Sequence, residues 1–287
     1  MASMRDIKRR QSSVKSTGQI TKAMKLVSTV KLQKARGRAE NTKPYFDGMY
    51  STVASILARS AGIKHKYLQA DQGKKKAVIV ITSNRGLAGG YNSNIVKLLT
   101  NNPEFSKENT VVYTVGRKGQ EGLSRKGYTV VKDYSDCVEE PIYADAMEIS
   151  RDVLEAFAEG EIGEIYLAYT HFKNTVSHEP TLIKLLPVEF DEEEIGQAAT
   201  SNVLMNYEPN EEEALDMIIP KYVTSLFYGA LVEAVASENG ARMQAMDSAT
   251  SNADEIISDL TLKFNRARQG AITQELTEII AGANAIN

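Results

Sequence analysis

MDSATSNADEIISDLTLKFNRARQGAITQELTEIIAGANA, residues 246–285, decides the fold. Apolar residues recur at Met246, Ala249, Ala253, Ile256, Leu260, Phe264 and Ala267, in steps of three or four, and the stripe resumes at Ile272, Leu276, Ile279 and Ala283. That spacing marks one face of an α-helix. Between Lys221 and the C-terminus there is no proline, and Pro220 falls near the expected helix start, where a kink or a fresh N-terminus is tolerated. From residue 211 onward such a helix would be about 110 Å long. It has no room inside one globular domain and requires a partner helix.

The N-terminus supplies a candidate. Val14, Thr17, Ile20, Met24 and Val27 repeat the spacing, and the first proline is Pro44, where a kink is expected. Residues 1–39 hold eleven Lys and Arg against Asp6, a net charge of +10, whereas residues 211–287 hold five bases and twelve acids, a net charge of −7. Two oppositely charged helices wound antiparallel neutralise much of each other's field, with Met24 and Val27 expected against the C-terminal stripe. Each exposed charge pair adds only about 0.2–1 kcal/mol, so the apolar stripe carries the pairing.

Composition fits this picture. Of 287 residues 42% are hydrophobic, yet there is no Trp, as expected of a chain rich in coiled coil. The lone Cys137 excludes an intrachain disulfide framework and points to a reducing compartment. A net charge of −3 argues against general nucleic-acid binding, and neither an 18-residue apolar run nor a signal-peptide pattern is present.

Between the helical ends the pattern changes. Ala77–Thr82 (AVIVIT) reads as a strand buried on both faces, followed by a glycine-rich turn and a helix that Asn92 or Ser93 can cap. Val111–Val115 is a second strand, residues 116–126 a short helix, and Tyr128–Val131 a weaker strand. Ile142, Ala146, Ile149, Val153 and Phe157 define an amphipathic helix, and Ile165–Tyr169 with Leu182–Val188 read as a hairpin around a turn at His178 and Pro180. The fold class is therefore α/β: a long antiparallel coiled coil of N- and C-terminal helices with an inserted α/β, Rossmann-like domain built on a mixed sheet. The expected divisions are residues 1–60, 61–209 and 210–287.

Catalytic motifs are weak. RGLAGGYN, Arg85–Asn92, has neither dinucleotide-binding nor P-loop spacing, and no lysine follows to reach a phosphate, so a structural turn is expected. His65, His171 and His178 lack companion ligands for zinc and read as solvated or hydrogen-bonded side chains. The acidic runs Asp191–Glu194 and Glu211–Glu213 are explained by solvation and, for the second, by a helix N-terminus. In contrast, Arg268, Gln269, Thr273, Gln274, Glu275 and Glu278 stand on a helix of small residues, which suits a slender rod presenting donors and acceptors to a surrounding surface.

At these residues the chain resembles a known family. ITQELTEIIAGANA (272–285) is similar to the C-terminal signature of the gamma subunit of bacterial F-type ATP synthase. MASMRDIKRR, QITKAMKLVS (19–28), ITSNRGLAGGYN (81–92) and ASENGARMQAM (236–246) resemble the same family in the same order. The resemblance implies a non-catalytic rotor shaft without cofactor. Its partners would be the alpha and beta subunits of the head, the epsilon subunit and the membrane rotor ring, with one copy per hetero-oligomeric complex on the cytoplasmic side of the cell membrane. By position, it implies head contacts at Met24, Lys25, Arg242, Arg268, Gln269, Thr273, Glu275 and Glu278, and ring or epsilon contacts at Tyr207 and Glu208. Three residues depart from the family pattern: Gly240 replaces a better helix former, Asp247 a frequent lysine and Asn84 a frequent aspartate. The competing readings are a nucleotide-using enzyme, marked by nucleotide binding to the α/β domain, and a coiled-coil scaffold, marked by a symmetric homodimer.

Overall fold

The computed structural model describes residues 4–59, 65–69, 71, 73–188 and 210–286. Helix α1 spans Met4–Arg59 and contains Pro44; the closing helix, α5, spans Glu211–Ile286 and contains Pro220. Between them run β1 (Lys75–Ile81), α2 (Tyr91–Thr100), β2 (Thr110–Val115), α3 (Arg117–Arg125), β3 (Thr129–Asp133), α4 (Tyr143–Ala158), β4 (Ile162–Phe172) and β5 (His178–Leu186). The expected elements are present. His178 and Pro180, expected in a turn, instead belong to β5, because the hairpin strands run longer than their apolar runs.

Two compact units are distinguished: Met1–Ser28 with Met243–Asn287, and Thr29–Arg242. The first is an antiparallel helix pair. Gln11 donates to Thr261 (2.8 Å), Thr21 bonds Thr250 (2.7 Å), Lys25 Nζ meets Asp247 Oδ1 (2.6 Å), and a Cβ on Gly18 would stand 3.2 Å from Ala253 Cβ. Partner numbers add to 271 or 272 at all four contacts, the signature of antiparallel pairing in constant register. The α5 side of the seam repeats every seven residues through the buried Met246, Ala253 and Leu260.

On α1 the phase differs from the expected one. Gly18, Thr21 and Ser28 are buried, whereas Ile20 and Val27 are each 58% exposed and Thr17 is also exposed. Val27 therefore does not pack on the C-terminal stripe, and Met24 is only half-buried. The cause is steric. A seam of Gly, Thr and Ser lets the two backbones approach closely, which bulky residues on both sides would prevent.

In the second unit the sheet order is β3-β2-β1-β4-β5, with β1–β4 parallel to their neighbours and β5 antiparallel to β4. Alternation along β1 sends Val78 and Val80 to one face, with Ile95 and Leu99 of α2 and Leu123 of α3. It sends Ala77, Ile79 and Ile81 to the other, with Ile149 and Val153 of α4, Val53 and Ile56 of α1, and Leu215, Ile219, Val223, Phe227 and Leu231 of α5. One face of the sheet is thus closed by the long helices themselves. The most apolar stretch of α5 reaches a mean hydropathy of 1.2, and 56% of it is buried in the protein, as befits a core helix.

Phe227 is fully buried in this layer. Phe227→Ala is expected to destabilise the chain by about 3–5 kcal/mol, read as a lower urea midpoint. Leu262→Ala, at an exposed position of α5, is expected to change stability by less than about 0.5 kcal/mol.

Candidate functional site

In an open parallel sheet, ligands usually bind outside the carboxyl ends of the strands where the strand order reverses. Here that point lies between β1 and β4. It is crossed by residues 234–242 of α5. Tyr91 Oη donates to the Ala234 carbonyl (3.2 Å), Ser237 Oγ to the Thr170 carbonyl (3.0 Å), and Arg242 Nη2 to the Gly86 carbonyl (3.4 Å). Sequence reasoning missed Tyr91 and Ser237 in this role, since a hydroxyl facing a backbone carbonyl leaves no pattern in one sequence.

The RGLAGGYN turn is held together by hydrogen bonds between Ser83, Arg85 and Asn92. Ser83 N donates to Asn92 Oδ1 (2.9 Å), Asn92 Nδ2 to Ser83 Oγ (2.8 Å), and Ser83 Oγ to the Arg85 carbonyl (2.6 Å). Asn92 is thus tied within the loop, whereas Arg85 reaches Glu139 (3.5 Å) and Tyr91 reaches α5. Asn92 and Ser93 do not cap α2 as expected; Gly90 holds that position without a side-chain bond, because Asn92 is already tied to Ser83.

The histidines divide. His65 Nε2 lies 3.2 Å from Asp216, and His171 Nδ1 2.8 Å from Glu233. His178 departs from expectation: its Nε2 is buried without a hydrogen-bond partner, and burial lowers its pKa. Among the described residues no cluster of His, Cys, Asp and Glu suits a metal ion. Burial and nearby carboxylates push the Cys137 thiol up to about 11, so little reactive thiolate exists near neutral pH. A cleft of about 570 Å³ is lined by Arg36, Glu40, Tyr169, His171, Lys173 and Glu233; Arg36 pairs with Glu40, His171 with Glu233, and Lys173 with Glu179 outside the lining.

The residues expected to meet partners fall into two sets. Lys25 is paired with Asp247, and Arg242 with Glu238 at 2.7 Å, both side chains of the latter pair being only 12–13% exposed. Burial raises the Glu238 pKa, which the adjacent Arg242 charge opposes. Arg268, Gln269, Thr273, Glu275 and Glu278 lie on one stretch of α5 where every described side chain from Arg268 to Asn284 is exposed. Thr273 Oγ1 bonds the Gln269 carbonyl (2.9 Å), and Gln274 donates to Glu278 (3.0 Å). Ile272, Leu276, Ile279 and Ile280 are exposed beside them. Tyr207, Glu208 and the acidic run at 191–194 lie outside the described residues.

Residues 3–286 match a family model described as ATP synthase. The chain is 67% identical to an ATP synthase gamma chain of Lachnoclostridium phytofermentans, with 100% of each chain covered. The chain belongs to the ATP synthase gamma-chain family. It is also 42% identical to a gamma chain of Acetobacterium woodii named as sodium ion specific, with 99% of each covered. A chain of the Euglena gracilis mitochondrial ATP synthase shares the fold at a TM-score of 0.69 and 19% identity, covering 99% of this chain and 94% of that one. A chain from the central stalk and c-ring of the Tetrahymena thermophila enzyme does so at 0.59 and 26%, covering 80% and 99%.

Two of the residues expected to depart from the gamma-chain pattern have local partners. Asp247 is matched to Lys25 across the seam. Asn84 uses both ends of its amide: Nδ2 donates to the Ser135 carbonyl (2.7 Å) and Oδ1 accepts from Arg117 N (3.1 Å). A carboxylate could accept from Arg117 but not donate to Ser135. Asn84→Asp is therefore expected to cost about 1–3 kcal/mol in urea unfolding.

Proposed function

We propose that this chain is the shaft of a rotary motor, carrying torque between a membrane ion path and the catalytic head. As a gamma-chain family member it is a central-stalk rotor subunit of a membrane-bound ATP synthase. It supplies no catalytic group: residues 1–60 and 210–287 act as the shaft and 61–209 as the domain that receives torque. Met24, Arg268, Gln269, Thr273, Glu275 and Glu278 face the alpha and beta subunits, as do Lys25 and Arg242 on the helix surface where they are already paired with Asp247 and Glu238, and Tyr207 and Glu208 face the ring and epsilon. One copy serves each complex, peripheral on the cytoplasmic side of the cell membrane, and ring rotation accompanies ion transport.

The observation that carries this reading is the inverted helix pair. Its seam holds Gly18, Thr21 and Ser28, while Ile20, Leu26 and Val27 point outward, and α5 beyond Ala267 is exposed all round with Ile272, Leu276, Ile279 and Ile280. Exposed apolar groups at this density mark a surface that another protein covers. A freestanding scaffold would bury them. Rotation requires the shaft to interact differently with each position it passes, since an equal fit everywhere shifts no equilibrium. Arg268 and Gln269, exposed between Ala267 and Gly270, suit directional hydrogen bonds to carboxylates or backbone of an enclosing subunit.

Arg268→Ala combined with Gln269→Ala tests this. The isolated chain is expected to keep its stability within about 0.5 kcal/mol. Reconstituted with its partners, the variant is expected to lose ATP turnover or ion-driven synthesis, or to assemble poorly. Normal assembly with undiminished synthesis and hydrolysis would remove these residues from the torque contact.

A further inference from the structure

Gly240 lies inside α5, where glycine costs about 1 kcal/mol relative to alanine. The structure supplies its reason. A Cβ at this position would collide with His178 Nε2 and stand 3.1 Å from its Cε1. The imidazole reaches out of β5 and occupies the notch that the missing side chain leaves. Phe172, its register partner on β4, lies on one side of the ring with centroids 5.9 Å apart. Nε2 is buried without a hydrogen-bond partner, so what fixes the ring there is shape.

The notch is unique along this stretch. Between Gly229 and Gly270, Gly240 is the single glycine of α5. Sliding or turning the helix by one turn would bring Ala236, Ser237, Met243 or Gln244 to the ring, each with a Cβ. The neighbouring contacts divide: Tyr91 bonds the Ala234 carbonyl, which any residue at that place would offer, whereas the Ser237 hydroxyl rides on α5 and adds a second register-dependent contact at the Thr170 carbonyl.

We infer that His178 and Gly240 form a positional key that fixes the axial and angular register of α5 against the sheet domain, so that torque entering the domain passes into the shaft without slip. This inference rests on the rotor reading and adds two positioning residues to it. Neither touches nucleotide or the reacting atoms.

The test begins with the sign of a stability change. Helix propensity alone predicts that Gly240→Ala raises Tm. The key predicts that Gly240→Ala lowers Tm of the full-length chain when His178 is present and raises it in the His178→Ala background. The second measurement uses the whole ATP synthase in sealed vesicles, recording ions pumped per ATP hydrolysed. Both Gly240→Ala and His178→Ala are expected to cut that ratio to half or less while hydrolysis continues, whereas simple loss of folded protein would lower pumping and hydrolysis together. A rise in Tm in both backgrounds, or a wild-type ratio in either single variant, overturns the key. Failure of the wild-type chain to assemble into a pumping complex would instead overturn the rotor reading.

Discussion

Burial of one sheet face against the two terminal helices is the contact on which the rest depends. Ile79 and Ile81 of β1, Leu167 of β4 and Leu185 of β5 share one core with Val53 of α1 and Phe227 and Leu231 of α5. Removing either long helix would expose a row of fully buried side chains, each worth about 1.5–3 kcal/mol of transfer free energy. The α/β domain is therefore inserted in sequence but not independent in energy. This also explains why a sheet with a nucleotide-binding topology holds no nucleotide motif: α5 crosses the reversal of strand order and bonds the Thr170 and Gly86 carbonyls.

Much of the architecture was legible because two periods differ so clearly. The three-four spacing from Met246 to Ala267 permits no strand, and the run Ala77–Thr82 is too short and too β-branched for a solvated helix. The α1 seam was misread for a physical reason. Periodicity arguments assign the buried face to the apolar residues, yet here Ile20 and Val27 are exposed while Gly18, Thr21 and Ser28 are buried. Hydrophobicity reports what avoids water in the finished assembly, and on the proposed rotor reading the surface that covers Ile20 and Val27 belongs to other chains. The single sequence held the correct pattern in its small residues, from Gly18 through Thr21 to Ser28, but smallness is a weaker signal than hydrophobicity.

The candidate site was legible in part. Arg268, Gln269 and Glu275 sit on exposed helix as the sequence led one to expect, because small flanking residues leave long polar groups standing clear. His178 was not, since its significance depends on a glycine 62 positions away. The same holds for Asn84, whose amide spans Ser135 and Arg117, and for Asp247, which answers Lys25. Each of these three unusual residues is matched by a second residue distant in sequence. A substitution judged alone by local propensity looks unfavourable; judged with its spatial partner it satisfies a volume, a donor or a charge.

The distribution of polar groups along α5 then follows from what each part must do. Around residue 240 the helix must not move against the sheet domain, and there the side chains are spent within the chain: Ser237 on a carbonyl, Arg242 on both Glu238 and Gly86, and Gly240 on a ring. An ion pair as enclosed as Arg242–Glu238 contributes little net stability, because desolvation offsets its attraction, but losing one partner strands a buried charge at a cost of about 3–5 kcal/mol. Such a pair penalises the wrong arrangement more than it rewards the right one. On the proposed reading the requirement reverses beyond Ala267, since a tip that passes successive positions keeps its donors and acceptors for groups outside the chain. There Arg268, Gln269 and Glu275 stand exposed, and the few internal bonds, Thr273 to the Gln269 carbonyl and Gln274 to Glu278, stay local to the helix. One continuous helix thus combines a segment whose polar chemistry is closed with one whose polar chemistry is open, which is what transmitting torque without slipping at one end and stepping at the other demands.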